Sequence, residues 1–268
     1  MQTFMRFMRI TILFFLTTAA QMSLCAEPKE GNTASRIKKL LEQMTLEEKI
    51  GQMVQAERKT TTPEDVKNYF LGSLLSGGGS SPGSNQREDW LAMVNEYQQA
   101  ALSTRMRIPI LYGIDAVHGH NNVYGAVIFP HNIGLGAAND PALMERIAAV
   151  TAEEVLATGI TWIFSPCVAI VKDPRWGRYY ESFGDNQYNV SRLALPLVRT
   201  VQNQYKMITS VKHFLADGAA EWGTGDNGYP IDQGNTQMSE EEIRRVHMYP
   251  YVEAIKAGAK TVMISYGS

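Results

Sequence analysis

The 268-residue chain balances 25 Lys and Arg against 27 Asp and Glu, a net charge of −2, with 44% apolar and 19% charged residues. That composition excludes a disordered or fibrous chain. The near-neutral charge gives no basis for nucleic acid or an anionic membrane surface as a partner.

The first element along the chain is a leader. MQTFMRFMRITILFFLTTAAQMSLCA places Arg6 and Arg9 ahead of the apolar run Ile10–Leu16 and closes on small residues. Charge, length and ending are those of a secretory signal peptide. The run is shorter than the roughly 20 apolar residues a spanning helix needs. Residues 1–26 are therefore expected to be removed and the protein to be periplasmic or secreted, with no membrane partner. Residues 27–35 read as a polar linker, with Ser35 capping a helix over RIKKLLEQM, and residues 36–268 as one domain. Thr45 and Glu48 match a capping box at the start of TLEEKI.

A rhythm then sets in. Short apolar, β-branched runs read as strands: FLGSLLS (70–76), IPILYGID (108–115), GITWIFSP (159–166), MITSVKHF (207–214) and KTVMISYG (260–267). Helical patterns fall between them at 87–102, 141–159, 186–204 and 239–258. Asp140-Pro141 reads as a cap followed by proline in the first turn. Gly159 and Gly258 sit where left-handed C-terminal caps belong, and Ser239 with Glu242 forms another capping box. Pro196 and Pro250 interrupt helical patterns and predict kinks or breaks. Strands alternating with helices, apolar on both faces, predict a parallel sheet covered on both sides. Five or six such units fit either part of a (β/α)8 barrel or a doubly wound sheet.

Polar residues gather at the strand ends, where parallel α/β proteins build their sites. Asp115 ends the second run, Lys212-His213 the fourth and Tyr266 the fifth, and the loop DPRWGRYYESFGDN (173–186) follows the third. Each also has a plain structural reading. Asp115 could hydrogen-bond a neighbouring loop, and Lys212-His213 could be a solvated strand end. Arg175 or Arg178 could pair with Asp173, Glu181 or Asp185; the structural role suits Arg175 and a ligand suits Arg178. His118, His120 and His131 lack metal-ligand spacing and read as loop-packing residues, and Cys167, within FSPCVAIV, reads as a core thiol. Carboxylate, Arg, Lys and His beside aromatic rings suit a sugar, whose hydroxyls take charge-assisted hydrogen bonds. SGGGSSPGS (76–84) lacks the phosphate-loop pattern, and no CxxC, HExxH or GxSxG occurs. Neither metal nor cofactor is expected.

DPRWGRYYESFGDN, YGIDAVHG and VKHF, supported by LSGGGSSPG and TLEEKIGQM, resemble the N-terminal domain of glycoside hydrolase family 3, of the β-glucosidase and exo-β-glucanase type. The likeness covers residues from about 36 onward. It implies an incomplete (β/α)8 TIM-like barrel followed by an α/β sandwich domain as a further partner. It also implies a terminal β-glucosyl unit of a β-glucoside or β-glucan as substrate. By the family's pattern Asp115, Arg178, Lys212, His213 and Tyr266 would hold that sugar, and Asp226 matches an acidic loop position loosely. The loop LADGAAEWGTGDNGYPIDQGN carries no histidine, which argues against the β-N-acetylhexosaminidase branch. The family's nucleophilic aspartate and acid/base glutamate, which serve a retaining double displacement, would follow SYGS. These residues are therefore expected to be an inactive part of a longer enzyme. A β-N-acetylhexosaminidase and a non-catalytic sugar-binding module are the alternatives.

Overall fold

A computed structural model describes residues 30–226 and 228–267; the expected leader lies outside them. The chain divides into two compact units, residues 1–45 and residues 46–268. In the first, helix α1 spans Glu30–Gln43. It begins five residues before Ser35, which corrects the reading of Ser35 as its cap. Once a helix is nucleated, each added residue gains a backbone bond for a small propensity cost, so the polar EGNTAS segment is absorbed into it.

The second unit is built on a parallel sheet of six strands: β1 (Gln55–Glu57), β2 (Ser73–Ser76), β3 (Leu111–Ile114), β4 (Trp162–Ile163), β5 (Ile208–Phe214) and β6 (Thr261–Ile264). They lie in the order β1-β2-β3-β4-β5-β6, every pair parallel. Each crossover thus steps to the next neighbour in one direction. A doubly wound sheet reverses its order midway, whereas stepwise progression is how a (β/α)8 barrel winds. The sheet is that of an incomplete TIM-like barrel. All five predicted runs hold a strand, each shorter than or equal to its apolar run. β1 escapes sequence reading because QAE is three residues long and polar, with no apolar alternation to mark it.

Helix α2 (Leu46–Gln52) starts one residue after Thr45, and α3 (Pro63–Asn68) carries a full Thr62/Asp65 capping box. α4 (Arg87–Leu102) buries Trp90, Met93, Val94, Tyr97 and Ala101, the i, i+3, i+4, i+7 stripe of a helix laid on a sheet. α5 (Asn132–Ala138) and α6 (Pro141–Ala157) follow β3. At the start of α6 Asp140 Oδ1 accepts from the N–H groups of Ala142 and Leu143 at 2.9 and 3.1 Å. Gly159 beyond it has φ +79°, the left-handed geometry expected. α7 (Gln187–Arg199) contains Pro196 without breaking there; a π turn over Thr200–Gln204 follows. At Pro250 the expected break is real, because a π turn over Ile243–His247 gives way to α8 (Tyr249–Lys256).

Leu74, Tyr112, Ile114, Ile163 and Val211 from four strands join the helix stripes in one core. A second, smaller apolar cluster of Cys167, Ala169, Val171, Trp176, Ala220 and Ile231 lies in the loops after β4 and β5. It gives the loops at that end of the sheet a core of their own.

Candidate functional site

Four side chains from three crossover segments meet at the C-terminal end of the sheet. Lys212 and His213 lie at the end of β5, where pairing with β6 is irregular between Val211 and Phe214. The Lys212–His213 peptide is cis, as are Phe214–Leu215 and Ser165–Pro166. Asp115 directly follows β3. Lys212 Nζ donates to Asp115 Oδ1 at 2.8 Å; the lysine side chain is 4% exposed and the aspartate 35%. A buried ammonium thus faces a carboxylate that still reaches solvent.

The arginine loop supplies the next member. Arg178 precedes a single 3-10 turn, Tyr179–Glu181, which folds Glu181 back onto it. Arg178 Nε and Nη2 donate to the two Glu181 carboxylate oxygens at 2.7 and 2.9 Å, the two-point geometry that fixes a guanidinium plane. Burial disfavours the charge on Arg178, but Glu181 outweighs it and holds the guanidinium more firmly protonated than usual. The same Nη2 lies 2.9 Å from His213 Nε2. The turn is anchored in its own right: Asn132 Nδ2, at the start of α5, donates to Glu181 O at 2.8 Å. Ser182 Oγ donates to Ala169 O at 2.5 Å.

On the other side of the imidazole, His213 Nδ1 is 2.9 Å from Asp217 Oδ2, and both side chains are less than a tenth exposed. Ser265 Oγ, just after β6, donates to Asp217 Oδ1 at 2.8 Å. Burial pushes the Asp217 carboxyl up, but His213, Ser265 and Arg178 together pull it below the ordinary carboxylate value. Tyr266, next to Ser265, is 85% exposed. Asp226 is exposed on the loop after β5, its N–H donating to Asp232 O at 3.1 Å. That loop is tied to the arginine loop by Trp176 Nε1, which donates to Asp232 Oδ1 at 2.7 Å, and by Arg175, whose guanidinium lies 4.1 Å over the Trp222 ring.

The structure therefore joins Asp115 to Lys212 and Arg178 to His213, two pairs that meet in the adjacent residues Lys212 and His213. Tyr266 follows Ser265 in the chain, and Asp226 lies in the loop after β5. Arg175 pairs with Asp173, whose carboxyl it lowers to about 2, the structural role its position suggests. Cys167 is a buried thiol, its pKa pushed up to about 12 by burial and the nearby Glu181. His118 packs at a tilt against His131, and His131 edge-on against Tyr180, with ring centroids 4.4 and 4.5 Å apart, as loop-packing residues. From sequence Glu181 is only one of several possible arginine partners; its i, i+3 spacing to Arg178 is the available signal. Asp217 and Ser265 escape sequence reading, since an acid in LADG and a serine in ISYG match no spacing rule.

The donor and acceptor count says what the cluster can do. Among the described residues Asp115 Oδ2 accepts no hydrogen bond and Arg178 Nη1 donates none, while Lys212 uses one of its three protons. An acceptor and two cationic donors therefore remain for a ligand rich in hydroxyl groups.

The family model described as "Glycosyl hydrolase family 3 N terminal domain" matches residues 45–268. The chain is 32% identical over 257 residues to the lysosomal beta glucosidase of Dictyostelium discoideum, covering 85% of this chain and 30% of the relative. It is 31% identical over 236 residues to the periplasmic beta-glucosidase of Salmonella typhimurium, covering 85% and 28%. Among solved structures it superposes on a mutant of an exo-1,3/1,4-beta-glucanase from a Pseudoalteromonas species. That match has a TM-score of 0.81 and 42% identity, covering 87% of this chain and 39% of that one. The chain spans about a third of the length of these relatives.

Proposed function

Because this chain belongs to the glycosyl hydrolase family 3 N-terminal domain family, we propose that its cluster holds the terminal β-D-glucosyl unit of a β-glucoside or β-glucan. Asp115 accepts from two sugar hydroxyls, and Arg178 and Lys212 donate to hydroxyl oxygens. In this reading Tyr266 and Asp226 are further contacts to the sugar. The observation that carries this reading is the convergence of Asp115, Lys212 and Arg178 at one strand end, each with unused hydrogen-bonding capacity. The names of the two glucosidases and the glucanase reported above point to glucose. In this reading hydrolysis runs by retaining double displacement, which requires two carboxylates about 5–5.5 Å apart across the bond. Those carboxylates, and the sandwich domain that shapes the leaving-group side, belong to a longer protein of which these residues form the sugar-holding part. A periplasmic or secreted location fits the leader-like residues 1–26 and the periplasmic relative.

Calorimetric titration with glucose and N-acetylglucosamine tests the assignment. Glucose should bind and N-acetylglucosamine should not, and Asp115→Ala should lose glucose binding at least tenfold, about 1.4 kcal/mol. Absence of glucose binding, or equal binding by Asp115→Ala, would sink the assignment. An aryl β-glucoside should not be turned over by these residues alone; turnover would overturn the placement of the two carboxylates.

A further inference from the structure

A cavity of about 200 Å³ lies beside the loop that follows β3, and none of its lining residues belongs to the sugar-holding cluster. Three segments wall it: Arg87 at the start of α4, His120 and residues 123–126 of the loop, and Glu154, Ala157 and Thr158 at the end of α6. The walls are tied to one another. Tyr124 N–H donates to Asn85 O, just ahead of α4, at 3.0 Å, and Val127 N–H donates to Glu154 Oε1 at 3.0 Å. Burial rises across the cavity: Tyr124 is 73% exposed, Val123 is buried, and His120 is 0% exposed. Tyr124 therefore marks its mouth and His120 its inner end.

The inner end offers one unused acceptor. His120 Nε2 lies 3.1 Å from Thr158 Oγ1, whose own proton goes to Val155 O at 2.6 Å, so Nε2 carries the ring proton and Nδ1 is bare. That buried Nδ1 has no hydrogen-bond partner among the described residues. A buried acceptor without a donor is costly, so a ligand that brings a donor gains by meeting it. The rest of the lining sets the ligand's character. Val123, Ala126 and Ala157 are apolar, and Arg87 and Glu154 cancel in charge, so nothing favours an ion. An apolar cavity of about 150 Å³ already admits benzene, so there is room here for a substituted ring. We propose that this cavity binds a small uncharged alcohol with an apolar body, of the size of phenol, whose hydroxyl donates to His120 Nδ1. The site is independent of the sugar-holding reading.

Phenol and toluene titrated into the histidine-labelled 268-residue chain test the site, with long-range 1H–15N spectra reading His120. Phenol should bind saturably and shift the Nδ1 signal. Toluene, of similar size but without a donor, should bind about tenfold more weakly and leave that signal in place. Ala157→Leu fills the cavity from the exposed end of α6 and should weaken phenol about tenfold, with an unfolding midpoint close to the parent's. His120→Phe keeps a ring but removes the acceptor, and should bring the two probes to within about threefold of each other. No saturable phenol binding by the parent chain overturns the proposal, as does an unmoved Nδ1 signal or equal affinity for phenol and toluene. Phenol binding undiminished in Ala157→Leu places the ligand elsewhere and overturns it as well. Should His120→Phe fail to fold, the parent's Nδ1 shift and the Ala157→Leu titration decide between the same outcomes.

Discussion

Lys212 is the most deeply buried charge of the site, and Asp115 is the carboxylate that faces it. A buried charge that loses its partner is costly because nothing replaces its lost solvation, while removing the charge itself is far milder. Asp115→Ala should therefore destabilise the fold by about 1–3 kcal/mol, tempered by the partial exposure of Asp115. Lys212→Met keeps the buried stem and should cost less than about 1 kcal/mol. Urea unfolding midpoints of the two variants check the order; a larger loss for Lys212→Met would contradict it. Asp115, Lys212 and His213 are legible in the sequence because a polar residue interrupting the end of an apolar run has to be explained. Asp217 is not, since its significance comes from the imidazole and the serine that reach it from other segments.

Among the elements, β3 shows how closely the site depends on sheet packing. Gly113 lies two residues before Asp115, and a Cβ there would sit 2.3 and 2.6 Å from Cζ and Cε1 of Phe164. Phe164 is itself buried beyond β4, its N–H donating to Ile114 O at 2.8 Å. Gly113→Ala should cost about 1–3 kcal/mol from overpacking and weaken glucose binding through Asp115. Phe164→Leu added to that variant should recover part of the stability, because the two residues share one contact. Independent, additive losses in the double variant would refute this account. Apolar runs announce five of the strands and heptad-like spacing the longer helices. The π turns at Thr200–Gln204 and Ile243–His247 carry no such mark, since local spacing cannot tell an i+4 from an i+5 backbone bond.

Over the whole molecule, two buried histidines make the fold acid-sensitive. Burial lowers His120 from 6.5 to about 4, and burial with the nearby Lys172 lowers His247 likewise. Their folded values lie below the unfolded ones, so the unfolded chain takes up protons first as the pH falls. The stability they contribute is complete above about pH 6.5 and is lost progressively toward pH 4, on the order of 3 kcal/mol for each at the acid end. The depressed Asp217 adds a further loss as the pH falls below the ordinary carboxylate value. Thermal unfolding should therefore occur at a clearly lower temperature at pH 5 than at pH 7. In His247→Leu the interval should narrow, because an apolar side chain at a buried position has no proton to take up. Equal slopes for the parent and His247→Leu would rule His247 out as a source.

By itself the sequence determined the class of fold, the places of five strands and the strand-end residues on which the chemistry gathers. These follow from local rules: apolar periodicity, capping residues, and the cost of a polar group at the end of a buried run. Only the tertiary structure decided that the sheet winds in one direction, since strand order depends on which edge each crossover returns to and leaves no trace in local spacing. It alone joined Asp115 to Lys212 across 97 residues and Arg178 to His213 across 35.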